Sequence, residues 1–322
     1  MSICSGEQLG LAPKRRMALY RGMSRKLKMG VVGAGVFGGY HANKCAAHPR
    51  VDYVGTYDKS FERAHAVAAL KGGRGYRDYG LFIAACDAVI IAAPASQHGA
   101  MALRALKAGC HTLIEKPIAT TRAAAQRCLD AAKLNSLVLQ VGHQERFVAK
   151  AIGLDRVIET PIRIEAKRHS PYSPRGTDVS VTLDLMTHDL DMVLWLMGED
   201  ALEVRGQSLR VRSETSDAAL AHLRFSAATA RLSASRVDAQ SERIMRLVYP
   251  SGEVVIDFNA KTLSQTAGFD LDANFGDNPL ARDSLGAATD SFVSAVLDGT
   301  PVEITGGHGL RALDAALKVD GG

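Results

Sequence analysis

Apolar residues in the first half of the chain gather in short runs. Residues 29–33, 51–57, 88–93, 111–115 and 137–141 each read as a strand buried on both faces, the pattern of a parallel sheet. Helical stretches lie between them: one running to about residue 47, one opening near Ser60, one over 99–108 closed by Gly109, and one over 121–135. Five strands alternating with helices predict an α/β fold over residues 28–142, a doubly wound parallel sheet of the Rossmann type.

Beyond residue 142 the pattern changes. Residues 161–168 read as a strand, and the following stretch to about 179 is rich in Pro, Ser, Gly and Arg, as a loop is. Residues 182–197 read as a helix. From 204 to 258 the chain carries strand-like runs, several alternating apolar with polar positions, including a hairpin that turns at Pro250-Ser251-Gly252. Two helices, near 285–297 and 309–318, follow. These elements predict an α+β domain over 143–322 for substrate binding and oligomerisation, built on a predominantly antiparallel open sheet. An uncovered sheet face packs well against another sheet, so a homodimer or homotetramer is expected.

Composition sharpens this picture in three places. At 322 residues the chain exceeds the roughly 250–300 at which single cores stop growing, which agrees with two domains. The net charge of +5 is local: Lys14, Arg15, Arg16, Arg21, Arg25, Lys26 and Lys28, against Glu7, give residues 1–28 a charge of +6, so residues 29–322 sum to −1. The body therefore has no basic stripe for nucleic acid. Residues 1–27 read as a disordered basic leader without the apolar segment of a secretory signal, or as a stretch upstream of a start at Met23. No run approaches the ~20 apolar residues that cross a bilayer. Five cysteines, without a CxxC pair, fit a reducing cytoplasm and give no metal site.

The chemistry is concentrated at the carboxyl ends of the first-half strands. Gly33-Ala-Gly35-Val36-Phe37-Gly38 follows the first strand and opens a helix: Gly33 suits a tight turn, Gly35 close approach of a pyrophosphate, and Gly38 close helix packing. Asp58, ending the second strand, is placed to accept from the adenosine ribose hydroxyls, or else to cap the next helix. As a carboxylate it favours NAD over NADP, whereas Lys59 beside it would tolerate a 2′-phosphate. Pro94, His98, Glu115 and Lys116 lie at further strand ends and complete the candidate cofactor set. His98 either caps its helix or faces the cofactor; Glu115 is read as holding backbone or the lysine; and Pro117 is a candidate for a cis peptide. In the second half, Asp184, His188 and Asp191 are spaced to share one helix face.

Three features in register resemble the glucose–fructose oxidoreductase/inositol dehydrogenase (Gfo/Idh/MocA) family over about residues 28–320. They are the glycine motif with Asp58, Glu115-Lys116-Pro117 after a strand, and Asp184-x-x-x-His188-x-x-Asp191 followed by Trp195-Leu196-x-Gly198. The resemblance implies that Lys116 lies beside the nicotinamide and hydrogen-bonds the substrate hydroxyl, that His188 is the acid/base, and that Asp184 orients one of them. Residues 141–147 and 178–191 are similar to a subgroup that oxidises the 3-hydroxyl of UDP-N-acetylglucosamine to a ketone. A partner aminotransferase then forms a 3-amino sugar, a lipid A-type precursor. That subgroup continues Glu145-Arg146-Phe147 with Asn-Pro, where this chain has Val148-Ala149. A nucleotide-sugar substrate calls for diphosphate partners, for which Arg146, Arg168 and Arg175 are candidates or else solvated charges, with Tyr172 and His169 beside them. Two other functions fit: a dehydrogenase of a free polyol or sugar, and a non-catalytic NAD-binding regulator, which would need neither Lys116 nor His188.

Overall fold

The structure, a computed structural model, describes residues 26–321. Residues 1–25 of the basic leader lie outside the described residues, and Leu27 already belongs to the first strand. Strands β1 (Leu27–Val32), β2 (Val51–Tyr57), β3 (Arg74–Tyr76), β4 (Ala88–Ile91), β5 (His111–Ile114) and β6 (Leu139–Val141) form one sheet in the order β3-β2-β1-β4-β5-β6. Every pairing in it is parallel. The intervening helices α1 (Val36–Ala47), α2 (Phe61–Ala69), α3 (Tyr79–Ala84), α4 (His98–Lys107) and α5 (Arg122–Leu134) connect these strands. All four positions of β4 are buried, which is why this strand reads as an uninterrupted apolar run.

The sheet has one strand more than the sequence pattern predicted. The extra strand, β3, is an edge strand of three residues, Arg74-Gly75-Tyr76, too short and too polar to show a period. The helix after it, α3, spans only six residues and is capped by Asp78, whose carboxylate accepts from the Leu81 N–H at 2.7 Å.

The second sheet contains β7 (Arg163–His169), β8 (Glu203–Leu209), β9 (Ala218–Arg224), β10 (Thr229–Ser235), β11 (Glu242–Tyr249), β12 (Gly252–Asp257) and β13 (Thr262–Gln265), in the order β13-β12-β11-β7-β10-β9-β8. It is antiparallel except at its centre, where β7 and β10 run parallel. Along β9, Ala219, Ala221 and Leu223 are buried while Leu220, His222 and Arg224 are exposed, so one face is covered and the other open. The region 182–197 is not one regular helix: a π turn (Thr182–Met186) leads into α7 (Thr187–Met197). That wider turn moves Asp184 off the α-helical phase.

The remaining helices are α6 (Glu145–Ile152), α8 (Pro279–Arg282), α9 (Ser284–Asp298) and α10 (Gly306–Gly321). The last two return to the first sheet. Phe292 and Val293 of α9 are fully buried in one cluster with Leu27, Met29 and Leu113. Lys44–Asp283 at 2.7 Å and Arg50–Asp298 at 2.7 Å pair α1 and the residue before β2 with α9 and its cap. Ahead of α10, the Ile304 carbonyl accepts from the Val141 N–H of β6 at 2.9 Å. The two sheets are thus joined both by the chain at 142–143 and by this return.

The loop after β7 is pinned from beneath. Arg236, buried, donates to the carbonyls of Gly176 (2.8 Å) and Val179 (3.1 Å) and to Asp217 Oδ1 (2.9 Å). The Asp217 carboxylate also accepts from the N–H groups of Val211, Arg212 and Ser213. The Pro- and Gly-rich segment is thereby held against the cleft between the two sheets.

Candidate active site

A cleft of about 890 Å³ lies where the carboxyl ends of the first sheet meet the second domain. Its dinucleotide end is built by the turn after β1. Gly33 has φ +104°, and a Cβ there would lie 2.5 Å from the Ala92 carbonyl oxygen. At Gly38 a Cβ would come within 1.9 Å of the Gly33 oxygen, so only glycine lets α1 start this close to its strand. Gly35 is different: a Cβ there would meet nothing within 4 Å, leaving open space in front of the helix start. The first turn of α1 has no acidic residue and its N-cap makes no side-chain bond, so its N–H groups and partial positive charge are available to an anion. These residues fit the pyrophosphate of a dinucleotide.

Asp58 lines the same end. It accepts from the N–H groups of Ala34 (2.8 Å) and Ser60 (2.9 Å) and from Arg63 (2.8 Å). Burial resists its ionisation, but these three donors outweigh burial and hold the carboxyl below its usual range. The cap of α2 is Ser60, which accepts from the Arg63 N–H, so Asp58 is not the cap. Arg63, rather than Lys59, is the cation beside it.

The other end of the cleft is formed by groups from both domains. The Lys116–Pro117 peptide is cis, and Lys116 Nζ lies 2.5 Å from the Asp184 carbonyl oxygen and 3.0 Å from its Oδ1. Glu115 is buried; its Oε1 is 2.7 Å from His41 Nε2 and 3.1 Å from Gln144 Nε2. Burial raises its pKa, but the His41 bond and the Lys116 charge hold it below the usual value. It supports the lysine turn and is not a free base. His188 stands on α7 with a buried Nδ1 that has no hydrogen-bond partner and lies 4.0 Å from Glu145 Oε1. Burial, followed by the charges of Lys116 and Arg168, pushes its pKa well below 6.5, so the imidazole is neutral at neutral pH. Glu145 is held as a carboxylate: against its burial, Arg168 and Arg243 bring its pKa down to about 2.

The description "Oxidoreductase family, NAD-binding Rossmann fold" matches residues 27–143, and "GFO/IDH/MocA C-terminal domain" matches residues 155–255. The chain belongs to the Gfo/Idh/MocA oxidoreductase family. A UDP-N-acetylglucosamine 3-dehydrogenase of Acidithiobacillus ferrooxidans is 35% identical over 303 residues, covering 91% of this chain and 96% of that one. A solved structure of that enzyme superposes with a TM-score of 0.83 over the same shares. Inositol 2-dehydrogenase 4 of Saccharopolyspora erythraea is 29% identical over 61% of this chain and 60% of its own length. The WlbA dehydrogenase of Bordetella pertussis, solved with NADH and UDP-GlcNAcA, shares the fold, with a TM-score of 0.77 at 20% identity over 92% of this chain and 97% of that one. This Gfo/Idh/MocA protein is therefore an NAD-dependent oxidoreductase.

Within this family member the cleft brings together most of the residues named from the sequence. Gly33, Gly35, Val36, Phe37 and Asp58 line its dinucleotide end, and Pro94, Glu115, Lys116, Asp184 and His188 line the rest. Gly38 sits behind the turn. His98 also borders the cleft, but it is 2% exposed and its ring nitrogens lie 2.7 Å from the Pro117 oxygen and 2.8 Å from the Ala93 oxygen. It ties two strand-end loops together, and the N-cap of α4 is Gln97.

Four placements differ from expectation. Arg146 does not line the cleft: it is buried and bidentate on Asp191, at 2.8 and 2.6 Å. Asp191, 1% exposed, is thereby engaged by that guanidinium and does not line the cleft. Tyr172 is also outside the cleft, packed under the Arg212 guanidinium at 4.4 Å. Arg168 does line the cleft, yet its charge is matched by Asp189 (2.9 and 2.7 Å) and Glu145 (3.1 Å). Against burial, those two acids raise its pKa further. Arg175 stands 5.7 Å from the Phe37 ring, at the dinucleotide end. Sequence reasoning passed over Gln144, Glu145 and Arg243. Gln144 stands at the N-cap of α6 and Glu145 opens it, a helix of eight residues whose pattern is too short to read, and Arg243 is one more arginine in a strand.

Replacing Arg146 with methionine leaves the Asp191 charge buried and alone, and should lower the unfolding free energy by about 3–5 kcal/mol in a urea titration. The Arg146→Met/Asp191→Leu double variant should regain most of it. Equal losses in the two would show that the pair is not what holds these residues.

Proposed function

We propose that this protein oxidises the 3-hydroxyl of UDP-N-acetylglucosamine to a ketone, with NAD as the acceptor. Supporting this reading is the juxtaposition of Lys116, anchored on Asp184, with a neutral His188 in a cleft that also carries a dinucleotide turn. The 35% identity to the Acidithiobacillus ferrooxidans enzyme, which extends over nearly the whole of both chains, favours the nucleotide sugar over other sugars.

The steps follow from the side chains. Lys116 donates from Nζ to the substrate oxygen and stabilises the negative charge that grows there as the C–H bond breaks. Asp184 holds the ammonium in position through its carbonyl and its Oδ1. His188 accepts the hydroxyl proton. Glu145, near Nδ1, favours the tautomer with hydrogen on that nitrogen, which leaves Nε2 as the acceptor. NAD, when bound at the glycine turn, supplies the site for the hydride. A ketone at C3 is the substrate type that an aminotransferase converts to a 3-amino sugar, so such a partner, with glutamate, would carry the product toward a lipid A-type precursor. The open face of the second sheet is where a homodimer or homotetramer would form. With these roles the protein would act in the cytoplasm.

Inositol 2-dehydrogenases also match, over about three-fifths of the chain, and keep a free polyol as the second reading. Purified protein with NAD, UDP-N-acetylglucosamine, aminotransferase and glutamate should show growth of NADH absorbance. The Lys116→Met variant should bind NAD and give no growth. Reduction with inositol or glucose, and none with the UDP-sugar, would favour the polyol. The low pKa of His188 sets the pH dependence: activity is lost as pH falls and the ring gains a proton. The acid limb of kcat/KM should therefore lie below about 6.5, and a limb above that value would contradict the neutral base.

A further inference from the structure

A diphosphate requires cations that are not already neutralised, and the cleft contains two of them, Lys261 and Arg282, away from the dinucleotide turn. From His188 the wall runs to Glu145, which is ion-paired with Arg243. The Arg243 guanidinium lies 5.9 Å from the Phe258 ring centre, and Phe258 is 6.5 Å from Phe275. Lys261, on the turn between β12 and β13, rests its stem against Gly276, where a Cβ would come within 3.1 Å of the lysine Cβ. Arg282 of α8 borders the same lobe. Lys261 and Arg282 are exposed, and among the described residues neither has a carboxylate partner or a side-chain hydrogen bond. Arg243 Nε is buried with no acceptor. Glu145 and Asp189 together balance Arg168 and Arg243, so the surplus positive charge of the lobe is that of Lys261 and Arg282.

We infer that the lobe walled by Arg243, Lys261 and Arg282 binds the diphosphate of the nucleotide sugar, with the hexose extending back toward His188 and Lys116. Guanidinium and ammonium groups form charge-assisted bonds to phosphate oxygens, and the apolar floor of Phe258, Phe275 and Ala281 lowers the local dielectric and strengthens them. Arg146 and Arg168 are engaged by aspartates, and Arg175 stands over Phe37, so the arginines first suggested by the sequence do not serve this lobe. The inference rests on the nucleotide-sugar reading and adds the part of the cleft that recognises the nucleotide.

The test is calorimetric titration of UDP into the NAD-saturated protein, alongside steady-state kinetics with UDP-N-acetylglucosamine, for wild type and a Lys261→Ala/Arg282→Ala variant. Both side chains lie on the surface and remote from the reacting atoms, so the fold should persist. Loss of charge-assisted bonds should weaken UDP binding and raise KM by about 10–100-fold, with kcat and NAD affinity within about twofold of wild type. Turnover of the UDP-sugar with KM and UDP affinity unchanged in the variant would overturn the lobe and leave the proposed reaction standing. A wild type that binds no UDP and oxidises only a free polyol would overturn both.

Discussion

The contact between Lys116 and Asp184 is the constraint on which the site depends. Lys116 comes from the end of β5 in the first sheet and Asp184 from the π turn that precedes α7 in the second domain. Neither domain holds both groups. A shift of one domain by an ångström would move the ammonium away from the hydroxyl it is proposed to polarise, and such displacements alone cost large factors in rate. The contacts that fix the domains relative to each other therefore bear on the chemistry. They include α9 against α1, the Ile304–Val141 bond beside β6, and the bond from the Ser96 N–H to Asp178 across the cleft.

Charge pairing separates supporting groups from groups left to act. Three buried arginines, Arg146, Arg168 and Arg236, each have an aspartate partner, Asp191, Asp189 and Asp217. Their net contribution to stability is small, since desolvation offsets most of the attraction, but each geometry is directional and fixes the backbone around it. Paired or not, the cations around the reacting end of the cleft, Lys116, Arg168 and Arg243, still act on His188. Their field, added to burial, keeps His188 neutral.

The parallel sheet was readable because burial on both faces leaves apolar runs such as 88–93, and the glycine motif because sterics dictate its composition. Lys116, Asp184 and His188 were located through a motif, with the cleft bringing them together afterwards. Edge strand β3 and short helix α6 had too few residues for a period to show. The arginines were the least readable. Arg146 lies in a segment similar to the nucleotide-sugar subgroup, yet its role is decided by Asp191, 45 positions away in sequence and 2.6 Å away in space. Nothing local in Lys261 or Arg282 announces the lobe they line, because it is assembled from a hairpin turn and a helix distant in the chain. The π turn likewise carries no sequence mark, and it sets Asp184 out of the α-helical phase that His188 and Asp191 share.

The central claim is that hydride leaves C3 of the sugar while Lys116 and His188 manage the hydroxyl on that carbon. The most direct measurement is turnover of UDP-N-acetylglucosamine carrying deuterium at C3, followed by mass analysis of the reduced cofactor. The account predicts one deuterium in each NADH formed. Unlabelled NADH, with the deuterium retained in the sugar, would contradict it and place the oxidation at another carbon.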